Sequence, residues 1–148
     1  MFRILQGRGG RAFRVGTGAT VKPMTRPVRM FRIFYALLSS GFVVCILVQV
    51  FFAGMGAFGA DWSYHVTFGH LLEPLPMLMI PVAFVGRLSW ALRLPPLLLI
   101  ILIGAQYALA SAAVPAAALH PVNAVLILLI GLFLARRAWT TVAWHGKV

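Results

Sequence analysis

The chain has 148 residues, 61% of them apolar, and sets two acidic side chains against thirteen Lys and Arg, a formal net charge of +11. So little polar surface cannot solvate a globule, which excludes a soluble domain and leaves an integral membrane protein. Nucleic acid is excluded as a partner, because the basic residues flank apolar blocks and do not cluster with stacking aromatics on a soluble fold.

The chain opens with MFRILQGRGGRAFRVGTGATVKPMTRPVRM, rich in Arg, Gly and Thr and without acids. This composition predicts a basic, disordered cytoplasmic tail over 1–30. It holds no apolar run of signal-peptide length, so no cleavable secretory signal is expected. GRGGRAFRVG has the glycines of a phosphate loop but neither the preceding strand nor the βαβ context. MFRI occurs at Met1 and again at Met30, either by coincidence or because translation starts at Met24 or Met30, which the mass of the native protein distinguishes.

Four apolar blocks follow, at about 32–58, 64–86, 94–114 and 117–138, each long enough for a hydrocarbon core that needs about 20 helical residues. They predict an all-α, up-down transmembrane four-helix bundle over 31–140, with 141–148 a short tail. Eight basic residues lie at or before the start of the first block. Arg87 and Arg93 fall between the second and third, and Arg136, Arg137 and Lys147 near or after the end of the fourth. The positive-inside rule then puts both termini in the cytoplasm, with the 59–63 and 115–119 connections outside. The same residues attract anionic headgroups. Trp62 and Tyr64 mark the outer interface, Trp90, Trp139 and Trp144 the inner one.

In the first block, Cys45 has no partner cysteine and reads as a small buried hydrophobe. Gln49 lies about 13 Å below the outer end of its helix, Glu73 about as deep in the second and Gln106 about 12 Å deep in the third. Asn123 falls in the first turns of the fourth helix, His65 and His70 enter the second from outside, and His120 opens the fourth. The polar groups thus form one layer in the outer half, and the inner half is expected to be almost bare apolar packing. Such groups are costly in hydrocarbon unless they face the interior and find partners, which makes the layer a candidate site.

Pro74, Pro76 and Pro81 remove backbone donors and predict a bend in helix two. Glu73 reads plainly as a carboxyl bonded to one of the carbonyls so freed. Its functional reading is a proton relay among His70, Glu73 and Gln49 or Gln106.

The first and third blocks share a pattern: Gln49-Val-Phe-Phe-Ala53-Gly54 against Gln106-Tyr-Ala-Leu-Ala110-Ser111. His65 follows Gln49 by sixteen positions and His120 follows Gln106 by fourteen, and four residues past each histidine stands a small side chain, Gly69 or Ala124. Helices one and two would then repeat in helices three and four about an axis along the membrane normal. The repeat places His65 and His120 at matching depth on diagonal helices, a span suited to two imidazoles with a haem iron between them. The plainer reading is that these are interfacial histidines bonded to loops or headgroups.

Zinc would prefer four close N or S ligands, and no Ser-His-Asp set or paired carboxylate is present, so no enzymatic activity is assigned. His145 has no partner near it in sequence.

With Trp62, the His65-x-x-x-Gly69 step, Glu73, Gln106 and His120-Pro121-Val122-Asn123-Ala124, the chain resembles a family of small, uncharacterised bacterial four-helix integral membrane proteins over about residues 31–138. More distantly it is similar to the four-helix haem-binding halves of haem A synthase and related b-type cytochromes, which carry axial histidines on alternate helices. That likeness implies His65 and His120 as ligands. The chain departs from the synthase in lacking a second four-helix half and its glutamate-to-histidine signature.

The leading reading is therefore a b-type haem-binding electron-transfer protein. It would use His65 and His120 as ligands with His70 nearby, Glu73, Gln49, Gln106 and Asn123 in support, and a quinone or membrane protein as partner. The competing readings are a non-catalytic accessory or assembly subunit, whose polar layer locks helices together, and a small proton-coupled carrier.

Overall fold

The structure, a computed structural model, describes residues 25–143. It contains α1 (Arg26–Ala57), α2 (Ser63–Leu72), α3 (Pro74–Val85), α4 (Trp90–Arg93), α5 (Pro95–Ala110), a 3-10 turn (Ala116–Ala118) and α6 (Leu119–Ala143), and no strand among the described residues. These combine into four segments long and apolar enough to cross a membrane: Arg26–Ala57, Ser63–Val85, Trp90–Ala110 and Ala116–Ala143. The expected all-α architecture with four membrane-length helices is what the chain forms.

α1 starts earlier than the hydropathy boundary suggests. Pro27 stands in its first turn, where a missing N–H costs no bond, so residues 26–30, assigned above to the tail, are helical. The expected disorder of the rest of the tail concerns residues outside those described, as do Trp144, His145 and Lys147. α1 ends where Gly59 takes φ +99°, a conformation open to glycine, and the Phe58 and Ala60 N–H groups donate back to the Gly54 and Met55 carbonyls. Asp61 then accepts from the Ser63 N–H at 2.9 Å and its hydroxyl at 2.7 Å, which opens α2 and holds the Asp61 carboxyl below its ordinary range.

The second span is broken at Glu73, between α2 and α3, as its prolines predict. Pro74 offers no N–H to the turn before it, yet Glu73 keeps helical dihedrals (φ −55°, ψ −41°), so the helix is interrupted without the chain reversing. Pro95 and Pro96 open α5 in the same way that Pro27 opens α1.

α1 packs against α6, α3 and α2, and α5 against α6 and α3. The four spans therefore ring the bundle in chain order, with the second and fourth on one diagonal. Each span presents an apolar outer face, Phe34, Leu37, Val44, Leu47 and Phe51 on α1 among others, as a lipid-facing surface does.

The core lies toward the end that carries the 86–89 connection, where Tyr35, Phe42, Met79, Leu92, Leu99 and Leu134 are fully buried. This half is not the bare apolar packing the sequence suggests. The Tyr35 hydroxyl donates to the Leu92 carbonyl at 2.6 Å, the Arg32 Nε–H to the Gly86 carbonyl at 2.9 Å, and the Trp139 indole N–H to the Ser40 hydroxyl at 3.1 Å. Buried backbone carbonyls need donors, and Tyr35 and Arg32 supply two of them.

Candidate functional site

At the opposite end, toward the 58–62 and 111–115 connections, a cavity of about 430 Å³ opens between the spans. Its walls are apolar apart from a few polar groups, the composition of a small-molecule site. Those groups include Gln49 from α1, His65 and His70 from α2, Gln106 and Tyr107 from α5, and His120 from α6.

The lining obeys a two-fold repeat. A shift of 57 positions, the separation of Gln106 from Gln49, also carries Ile46, Val50 and Ala53 onto Ile103, Tyr107 and Ala110. A shift of 55 positions, the separation of His120 from His65, carries Val66, Gly69, His70 and Leu72 onto Pro121, Ala124, Val125 and Ile127. Every one of these residues lines the cavity, so the repeat read from a few sequence positions extends over almost the whole wall.

Hydrogen bonding repeats too. His65 Nδ1 lies 3.2 Å from the main-chain oxygen of Gln49, and His120 Nδ1 lies 3.2 Å from that of Gln106. A carbonyl only accepts, so each ring carries its proton on Nδ1 and its Nε2 is an acceptor. The side-chain amide N–H of the same glutamine donates to that Nε2, at 3.4 Å from Gln49 and 3.3 Å from Gln106, and a metal bound at Nε2 would displace it. The two imidazoles face each other with ring centres 6.2 Å apart and planes tilted by 55°. Trp62 packs edge-on to His65, with centres 5.7 Å apart, over Gly56, where an added Cβ would come within 2.6 Å of the indole.

Asn123, buried at 7% exposure, donates to the Leu102 carbonyl at 2.8 Å and to Gln106 Oε1 at 2.7 Å. On the other half, Gln49 Nε2 donates to the His65 carbonyl at 2.8 Å, while Gln49 Oε1 is buried and has no partner among the described residues. An added Cβ at Gly69 would sit 3.1 Å from Gln49 Nε2, so the small residue leaves the amide its place.

Glu73 pairs with His70, as the relay reading has it, but with neither glutamine. Its Oε1 accepts from His70 Nδ1–H at 2.8 Å and from the Tyr107 hydroxyl, and no bond to a freed carbonyl forms. It supports neither His65 nor His120 directly. Tyr107, which the sequence reading passed over, completes this cluster: its ring stacks on that of His70 with centres 5.2 Å apart and planes 10° from parallel. The only sequence signal for it was a polar aromatic at the depth of Gln106, one position further on.

Residues 49–113 match a family of unknown function (DUF6220). The match runs from Gln49 through His65, His70, Glu73, Gln106 and Tyr107, and ends before His120 and Asn123. It accords with the resemblance to an uncharacterised family and assigns no activity. No curated protein and no solved structure matches the chain.

Among the described residues no three His, Cys, Asp or Glu side chains gather as ligands for a bare metal ion. A metal held by these two imidazoles would therefore have to bring further ligands of its own, as a haem would. His65 and His120, with ring centres 6.2 Å apart, are the residues that would hold such a group.

Proposed function

We propose that the chain is a multi-pass inner-membrane protein whose cavity holds a b-type haem between His65 and His120, for electron transfer with a quinone or membrane protein. The observation that carries this reading is the matched pair of imidazoles, each fixed through Nδ1 to a glutamine carbonyl and 6.2 Å apart. When bound, the haem iron supplies one-electron redox chemistry.

The chain's own residues do the rest. The Gln49 and Gln106 carbonyls set each ring's tautomer and orientation, as outer partners of metal-binding histidines do. Apolar walls from all four spans exclude water, and Gly69 and Ala124 keep the wall beneath each histidine thin. The distribution of Lys and Arg supports cytoplasmic termini, which puts the cavity in the outer half of the membrane.

The competing reading, an assembly role for the polar layer, is favoured by the Tyr107 hydroxyl, which bonds Glu73 across the two hairpins. Each Gln–His pair joins helices of one hairpin, Gln49 with His65 and Gln106 with His120, and so does not fasten the two hairpins together. The other ties between hairpins lie at the far end, from Tyr35 and Trp139.

An absorption spectrum of the detergent-purified protein, expressed under haem-replete conditions, tests the proposal. A Soret band is expected, lost in His65→Ala and in His120→Ala. A colourless, well-folded protein sinks the reading.

A further inference from the structure

The two-fold match of the cavity wall fails in polarity on one flank. Tyr107 corresponds to Val50, His70 to Val125 and Glu73 to Leu128, so one side carries a hydrogen-bonded cluster where its mate is apolar. We propose that this flank docks the hydroxylated ring of a membrane-soluble quinol, with His70 Nε2 accepting the hydrogen of a ring hydroxyl. The inference goes beyond the haem reading and stands without it.

Hydrogen-bond accounting selects the ligand's chemistry. Glu73 Oε1 accepts the hydrogens of both His70 Nδ1 and the Tyr107 hydroxyl, which leaves His70 Nε2 an acceptor to which no described residue donates. The His70 side chain is 60% exposed, so that nitrogen is within reach of a ligand. Tyr107 has committed its one hydrogen to Glu73. The flank therefore offers acceptors and needs a donor.

Charge narrows the choice. No Lys or Arg occurs in 33–86 or 94–135, so a fatty acid or phospholipid phosphate would meet the Glu73 carboxylate with no cation to hold it. A neutral hydroxyl fits. The nearly parallel His70 and Tyr107 rings form an aromatic stack on which a planar ring can lie, and the apolar wall beyond takes its tail. A proton passing from the hydroxyl to Nε2 leaves an imidazolium paired with Glu73, the arrangement in which a carboxylate supports an imidazole base. No electron moves in that step.

The test titrates the purified protein in detergent with a short-chain benzoquinol and, separately, with its oxidised quinone, and reads binding by calorimetry. Quinone oxygens only accept and would face acceptors, so the quinol is expected to bind one site at least tenfold more tightly. His70→Leu and Glu73→Leu should each weaken quinol binding at least tenfold, and Leu129→Ala, on an exposed face of α6, should not. Equal affinity for quinol and quinone in the unaltered protein overturns the proposal without any variant, as does unchanged quinol affinity in a monodisperse His70→Leu protein. A colourless protein that prefers quinol keeps this inference and removes the haem; a pigmented one without the preference does the reverse.

Discussion

Gln49 and Gln106 occupy equivalent places but differ in how well each is satisfied. Gln106 Oε1 takes a hydrogen from Asn123, three residues past His120, whereas three residues past His65 stands Phe68, and Gln49 Oε1 has no donor. A buried polar atom left without its partner costs about 1–3 kcal/mol, so the two residues should respond differently to removal. Gln106→Leu strands one Asn123 hydrogen, while Gln49→Leu takes a second donor from the His65 main-chain carbonyl, which lies within α2, and removes an oxygen that is already unpaired. Thermal unfolding in detergent should show Gln106→Leu to be the more damaging by about 1 kcal/mol. The glutamine and histidine positions were legible because their spacing repeats along the chain. Tyr107 was not, since its partners His70 and Glu73 sit on another span and nothing local distinguishes it from an interfacial aromatic.

At the scale of elements, the break at Glu73 was written in Pro74, because a missing N–H acts on its own helix and needs no knowledge of neighbours. The start of α1 was less legible. Hydropathy marks where apolar residues begin, but Pro27 permits a helical turn before that point, so Arg26 and Arg29 extend the helix past the apolar block. Least legible were the contacts that tie α1 to the 86–94 region, whose acceptors are main-chain carbonyls of Gly86 and Leu92. Backbone acceptors leave no mark in a sequence. The fully buried Tyr35 hydroxyl makes one such tie with α4, and Tyr35→Phe would leave the Leu92 carbonyl without this donor. The variant is expected to lose about 1–3 kcal/mol of stability, read as a lower unfolding midpoint in detergent.

The whole molecule combines two hairpins that pack together at one end and enclose a cavity at the other, where Tyr107 bridges them to Glu73. Its charge distribution predicts a testable orientation. In a Cys45→Ala background, a cysteine at Ser63 should react with a membrane-impermeant thiol reagent added outside intact cells, and one at Arg29 only after lysis. The reverse pattern would turn the cavity toward the cytoplasm and remove the outward-facing site. Polarity of the wall, by contrast, is fixed whichever way the chain inserts.

The constant shifts of 57 and 55 positions carry a consequence for the history of such a molecule. Two separate copies of one hairpin, paired about a two-fold axis, must present the same side chains on both sides of the space they enclose. Covalent joining lifts that requirement. His65 and His120 can stay alike where a central pair is wanted, while Val50 and Tyr107, or Val125 and His70, drift apart. A single polypeptide thus gains something a homodimer of hairpins cannot have: a centre that remains symmetric beside a doorway that has become one-sided.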